Sequence, residues 1–320
     1  MKEKLTLIQN EYTTFLREKG YNENKPVKIT SGVDKSVVLV GSTISVLKPK
    51  LLNNSIHKNG EFLFQRAIRT QPLKVMTVNQ TSEWSSYFDA TGLLVPQNLG
   101  EKLVYDVLFF LINKLNLSKD DIMIRINCND TDLMRIVKNV SDMCNVEMNT
   151  REEKYYKHRY GLDEYGIYGR NFNIALKDKK ACEYKDIGNI IIIENQNKKF
   201  GIECAIGLNA LLMRMEGLKT SIEASSISDI VKLKSPTQHK FADCLSVVSH
   251  LAYENVEGLK KRNPIYLYRK YLKYLEYWSE ELNLKREDVI AMIKNYLKME
   301  YNNYDEVVID NNLKNLLIRR

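Results

Sequence analysis

Residues 189–193 read Asn-Ile-Ile-Ile-Ile. A β-branched run without polar alternation suits a strand buried on both faces. Such a strand needs partners on both edges and a layer of structure above and below it. The chain supplies candidates for each. Residues 200–206 read as a further strand, and Gly207 then opens a helix that carries Leu208, Leu211, Leu212 and Met215 and closes at Gly217. Residues 61–70 and 84–96 read as two strands, and the polar stretch between them, with Pro72, Asn79 and Gln80, reads as an exposed loop. Residues 122–126 alternate as a strand, and Val37 to Val40, ending at Gly41, is expected as a short buried one. Helical spacing appears at Leu5, Leu7, Ile8, Tyr12, Phe15 and Leu16, with Gly20 as C-cap. It recurs at Leu103, Val107, Phe110, Leu111 and Leu115, and over residues 130–140, where Asp130 or Thr131 caps. Residues 151–170, rich in Tyr, Arg, Lys and Glu, read as an insertion or an active-site loop. After Ser235-Pro236 only helical patterns remain, at residues 240–253, 264–282 and 286–299. The expected class is α+β, with a boundary near residue 235 that divides the chain into 1–235 and an all-helical 236–320.

Composition narrows the function classes. With 320 residues, 44% apolar and 28% charged, the chain can bury one large core or two modest ones. A net charge of +8 is compatible with nucleic acid, an anionic cofactor or a membrane surface. The five cysteines are widely spaced, form no C-x-x-C, and do not pair with the four histidines at ligand spacing. The expectation is therefore no metal site, no disulfide framework and a reducing cytoplasm. Met1-Lys2-Glu3-Lys4 is followed by no signal-peptide core, and the longest apolar runs are far too short to span a bilayer, so no membrane partner is expected.

Two segments carry a specific resemblance. Phe64-Gln65-Arg66-Ala67-Ile68-Arg69-Thr70 is followed about twenty residues later by Tyr87-Phe88-Asp89-Ala90-Thr91-Gly92. The pair resembles motif 2 of the class II aminoacyl-tRNA synthetases, in its alanyl-tRNA synthetase version. Glu203-Cys204-Ala205-Ile206-Gly207-Leu208-Asn209-Ala210-Leu211 resembles motif 3, D-T-G-x-G-L-E-R-L in the family. Asp186-Ile187-Gly188-Asn189-Ile190-Ile191 resembles the strand E-I-W-N-L-V. In the helical part, Phe241-Ala242-Asp243 resembles I-A-D and Tyr266-Leu267-Tyr268-Arg269-Lys270 resembles Y-V-L-R-R. The resemblance implies a class II synthetase-like, mostly antiparallel sheet flanked by helices. It implies ATP, with Mg2+, held by Arg69 at the α-phosphate and by Phe88, Ala90, Leu94, Gly207 and Arg214. It also implies an amino acid held by Asn189, Ile191 and Glu203, the last as acceptor for the α-ammonium group.

Departures from the family pattern are equally specific. The motif 3 arginine that clamps the ATP tail and packs on the base is Ala210, and losing a bidentate guanidinium from a phosphate site is not conservative. Arg214, one helical turn on, shares a face with that position. The acidic residue is Glu203 in place of Asp, the second motif 3 glycine is Ala205, and the family tryptophan is Gly188, which is expected to leave that spot larger. Asn189 could instead satisfy neighbouring backbone, and Glu203 could pair with Arg214 or Arg69 structurally.

Between Leu259 and Lys273 lie Lys260, Lys261, Arg262, Arg269, Lys270 and Lys273 with no acid among them, interleaved with Tyr266, Tyr268 and Tyr271. Basic and aromatic side chains on a helix suit phosphate and base contacts, and the family's equivalent region approaches the tRNA acceptor stem. Since the tyrosines surround the helix, some are expected in the core. Nothing in the chain resembles the family's editing or C-terminal domains. Distinguishing alanine from serine by binding alone is hard, so the expectation is a paralogue outside housekeeping translation. The leading reading is a ligase that activates a small amino acid with ATP and passes it to tRNA or another acceptor. A non-catalytic paralogue that binds tRNA or a partner, and a transferase that takes a ready-made aminoacyl-tRNA without ATP, are the competing readings.

Overall fold

A computed structural model describes residues 1–149, 153–162, 166–179 and 182–313. Its elements in chain order are α1 (Lys2–Glu18), β1 (Asn22–Glu23), α2 (Ile44–Leu52), β2 (Glu61–Ile68), α3 (Leu73–Thr77), β3 (Tyr87–Val95) and α4 (Gly100–Phe109). Then come β4 (Ile122–Asn127), α5 (Thr131–Lys138), β5 (Asn145–Asn149), β6 (Lys157–Arg159), β7 (Tyr168–Lys177), β8 (Tyr184–Glu194), β9 (Lys199–Gly207) and α6 (Leu208–Glu216). The helices α7 (Pro236–Tyr253), α8 (Arg262–Glu281), α9 (Arg286–Glu300) and α10 (Glu306–Asn312) follow. The protein is mixed α+β, built on one large, mostly antiparallel sheet with strand order β1-β2-β3-β9-β8-β7-β4-β5, and β6 beside β7. The isoleucine run lies in β8, paired on both sides by β7 and β9, where a doubly buried strand belongs.

Strand alternation sorts the side chains onto two faces. One face sends Phe62, Leu93, Ile190, Ile192, Phe172, Ile174, Ile202, Cys204 and Ile206 into a core closed by α1, α4, α5 and α6. The other face carries Leu63, Leu94, Ile191 and Ile193 under Ile44, Leu47 and Leu51 of α2 and under Tyr160 and Leu162. Gly92 of β3 lets α2 approach this second face, since a Cβ built there would lie 2.3 Å from Thr43 Oγ1 and 2.4 Å from Thr43 Cβ. Thr43 precedes α2 and is fully buried. Gly92→Ala should therefore lower the stability of the protein by about 1–3 kcal/mol, the usual cost of overpacking. A thermal melt checks it, and an unchanged midpoint would mean that Thr43 moves aside freely.

Several sequence expectations change. Val37 to Val40 is not a strand. Val37 and Val38 are exposed, while Leu39 and Val40 are buried. Only Val40 makes strand-like bonds, its N–H donating to Ile29 O and its carbonyl accepting from Ile68 N–H, because turns on either side leave the run too short to pair. The polar loop after β2 contains the short α3, with Met76 fully buried. Of the 151–170 stretch, Arg151, Glu152 and residues 163–165 lie outside the described residues; the rest includes β6 and the start of β7. Asp130 caps α5, its carboxylate accepting from Leu133 N–H.

The last four helices share a core with the sheet's edge. Phe241, Leu245, Val248, Tyr268, Tyr271, Trp278 and Tyr296 pack with Ile29, Leu39, Ile68, Met76 and Tyr87. Polar bonds fix the same contact. The Asp243 carboxylate accepts from both the Ser86 N–H and the Ser86 hydroxyl, each at 2.7 Å. Tyr271 OH lies 2.8 Å from Ser86 Oγ and accepts from the Gln71 N–H at 3.1 Å. α7 and α8 thus hold both ends of the loop that joins β2 to β3. Among the described residues no helix is long and apolar enough to cross a membrane.

Candidate functional site

The register of the sheet lines up the residues singled out in the sequence. On the second face Leu94, Glu203 and Ile191 sit side by side on β3, β9 and β8. The next row is Gly92, Ala205, Asn189 and Asn173, and beyond it Ala90 stands opposite Gly207. Phe88 continues the same face of β3, and Arg69 follows the end of β2. Above these rows opens a cavity of about 480 Å³ whose walls include Thr43, Arg69, Trp84, Phe88, Asn189 and Asp186. Ala90, Gly207 and Ala210 also line it. Leu94, Ile191, Glu203 and Arg214 do not line it.

Arg69 stands at the mouth. Its Nε donates to Gly41 O at 2.7 Å and its guanidinium lies 5.4 Å from the centre of the Phe88 ring. Neither of its two Nη groups bonds a described residue, so the two-pronged end of the fork is available to an anion. Asp186 forms part of the far wall. Its carboxylate accepts from Arg125 Nη1 at 3.0 Å, from Asn173 Nδ2 at 2.9 Å and from Tyr155 OH at 2.5 Å. Asn189 Nδ2 lies 3.4 Å from His158 Nε2, and burial together with the Arg69 charge holds the His158 imidazole below its ordinary pKa.

Glu203 is 2% exposed, and Tyr160 OH donates to its Oε2 at 3.0 Å. Burial raises its pKa to about 7 against the opposing effects of the Tyr160 bond and the Arg69 and Lys48 charges. Lys48 Nζ donates to Tyr160 O at 2.7 Å and so ties the tyrosine to α2. The expected ammonium acceptor is therefore capped by a tyrosine.

The expectation that Gly188 leaves open volume is not met. A Cβ at that position would lie 2.3 Å from Ala205 O, so the backbone of β9 already fills the space. Arg214 does not reach the cavity from its place on α6. It pairs with Glu83, lies 3.6 Å from Asp178 Oδ2, and sits 5.7 Å from the centre of the Trp84 ring. Lys260 and Lys261, just before α8, and Arg262, Arg269 and Lys273 on it are exposed, Arg269 at 3.3 Å from Glu257, and Tyr266 is 64% exposed. Tyr268 and Tyr271 are core, as the spacing required. Leu267 of α8 lines a second groove that also includes Val38, Thr70 and Arg69. That groove meets the cavity at Arg69 and Ser42.

Trp84, Asn173 and Asp186 are parts of the site that the sequence does not single out, and Tyr160 falls within the stretch 151–170 read as an insertion or an active-site loop. The polar alternation of Asn171 and Asn173 within an otherwise apolar strand was a usable signal for one of them.

No protein-family model matches the chain, and no curated protein matches it. Solved structures of aminoacyl-tRNA synthetases are similar to it at low identity. One is the RNA-binding domain of threonyl-tRNA synthetase from Cryptosporidium parvum Iowa II, with 11% identity, TM-score 0.41 and 68% of this chain covered. This chain spans 64% of that one's length. Apo histidyl-tRNA synthetase of S. aureus gives 11% identity and TM-score 0.44 over 67% of this chain and 70% of the other. PylSc, a pyrrolysyl-tRNA synthetase of Desulfitobacterium hafniense, gives 8% and 0.41 over 68% and 71%.

Proposed function

We propose that the chain is an adenylate-forming ligase of the class II synthetase kind, with motifs that resemble those of alanyl-tRNA synthetases. It activates a small amino acid with ATP and passes the acyl group to tRNA or another acceptor, outside housekeeping translation. The observation that carries the reading is the Arg69 fork, free of described partners at the mouth of a cavity built on motif-2-like and motif-3-like strands. When a carboxylate oxygen attacks the α-phosphorus and pyrophosphate departs, negative charge builds on the α-phosphate oxygens. A pre-aimed guanidinium in a partly dry cleft stabilises that charge. Phe88, Ala90 and Gly207 form the surface under the nucleotide. Asn189 and Asp186 face the end where the amino acid would sit, while Glu203 and Ile191 lie one row deeper, so an ammonium group reaches Glu203 only by displacing the Tyr160 hydroxyl.

Among the described residues no group of three or more His, Cys, Asp or Glu side chains could hold a metal. Magnesium enters this reading on the phosphate oxygens, not in a protein cage. Residues 1–235 would supply the chemistry and 236–320 the tRNA contact. The exposed cations of α8 suit phosphates, and the groove past Leu267 leads from that helix to Arg69. Two observations favour the non-catalytic reading: Glu203 is capped by Tyr160, and Ala210 offers no phosphate clamp.

Amino-acid-dependent exchange of pyrophosphate into ATP decides between the two. Exchange with one small amino acid, and not with the rest of a panel of standard and non-standard ones, is the expected result. Folded protein that supports no exchange with any of them would overturn the ligase reading.

A further inference from the structure

The protein has two tryptophans, and they are placed very differently. Trp278 is 1% exposed in the helical core, and its Nε1 donates to Met76 O at 3.1 Å. Trp84 lines the cavity and is 44% exposed. Its backbone is nevertheless firmly held. The Trp84 carbonyl accepts from Ser82 Oγ at 2.9 Å and from Gln71 Nε2 at 3.3 Å. On either side of it, Ser221 N–H donates to Glu83 O at 2.9 Å and Ser85 N–H donates to Ser221 Oγ at 2.7 Å. The buried Arg214, fixed by Glu83, lies over the indole. The indole Nε1 bonds no described residue.

A large aromatic group whose backbone is pinned and one of whose faces carries a buried cation is not a loose surface side chain. Its remaining surface adjoins a cavity that also holds the Phe88 ring and, at the mouth, the free Arg69 fork. Flat π-systems stack on such platforms with a gain that is tolerant of hydrogen-bond pattern. Ala210 lines the same cavity one helical turn before Arg214, and its methyl group offers neither charge nor stacking area.

We propose that Trp84 is the stacking platform for the purine ring of a bound nucleotide, filling the role that a side chain at position 210 is too short to play. The proposal rests on the nucleotide reading of the cavity. The triphosphate extends from the stacked ring toward Arg69, so ring and phosphates are held by different residues. Purine nucleotides then bind more tightly than pyrimidine ones, because the larger ring covers more of the indole.

Calorimetric titration of wild type, Trp84→Phe and Trp84→Ala with ATP, CTP and inorganic triphosphate tests this, with tryptophan emission followed in parallel. The expected result is tight ATP binding by wild type that quenches emission, no quenching in Trp84→Phe, and ATP affinity about 10- to 100-fold weaker in Trp84→Ala. Triphosphate affinity should be the same in all three, and the preference of ATP over CTP should shrink in Trp84→Ala. Equal ATP affinity in wild type and Trp84→Ala would overturn the platform while leaving the nucleotide site standing. Failure of wild type to bind any nucleotide would overturn both.

Discussion

Arg69→Ala should reduce amino-acid-dependent pyrophosphate exchange by at least about 100-fold, the usual cost of removing one donor aimed at a developing oxyanion. The fold should hardly notice. Arg69 is an exposed residue whose side chain makes one bond, to Gly41 O, and lies near the Phe88 ring, while its backbone N–H bond to Ser86 O survives the substitution, so the thermal midpoint should move little. Arg69→Lys restores the charge without the planar fork and should recover only part of the rate. Exchange that survives Arg69→Ala at the wild-type rate would show that the charge at the α-phosphate is met by another group. A fall in melting temperature that tracks the fall in rate would assign Arg69 a structural role.

The second large effect is on stability against pH, and it comes from Glu203. Its carboxyl group is raised from 4.5 to about 7 by burial. In the unfolded chain it titrates near the ordinary value, so between these two points the folded protein keeps a proton that the unfolded chain has released. The stabilising effect is fully present below the unfolded value and is lost as pH rises through the folded one. The shift corresponds to about 3 kcal/mol lost between pH 4.5 and pH 8. Glu203→Gln keeps an acceptor for Tyr160 OH and removes the titration. It should match wild type near pH 4 and be the more stable protein at pH 8. Denaturant midpoints of both proteins across that range provide the comparison; parallel curves would show that Glu203 is already ionised and compensated in the fold.

Much of the sheet was legible because its signals are local. The alternation at residues 122–126, the apolar run at 190–193 and the turn from Gly207 into α6 each depend on a few neighbours in sequence. Val37 to Val40 misled because apolar content says nothing about whether a partner strand is within reach. β7 was missed since Asn171 and Asn173 break its apolar pattern, and they do so because they face the polar rows of the site. The cap on Glu203 was not legible at all. Tyr160 is 43 positions away from Glu203, and only the closed sheet brings them together. The setting of Trp84 is not legible for a similar reason, since Arg214, which lies over its ring, comes from a distant helix.

The braces from α7 and α8 onto Ser86 and Gln71 have a consequence for how the molecule comes apart. Those bonds, with Ile68 and Tyr87 in the same apolar cluster as Phe241 and Trp278, join the helices to the edge of the sheet through direct packing and direct hydrogen bonds. Residues on both sides of position 235 should therefore melt as a single cooperative unit, seen as one transition by every probe, with the loop bearing Trp84 braced by helices that do not line the cavity. Whatever engages the outer surface of α8 acts on the same unit that holds the mouth of the cavity in place.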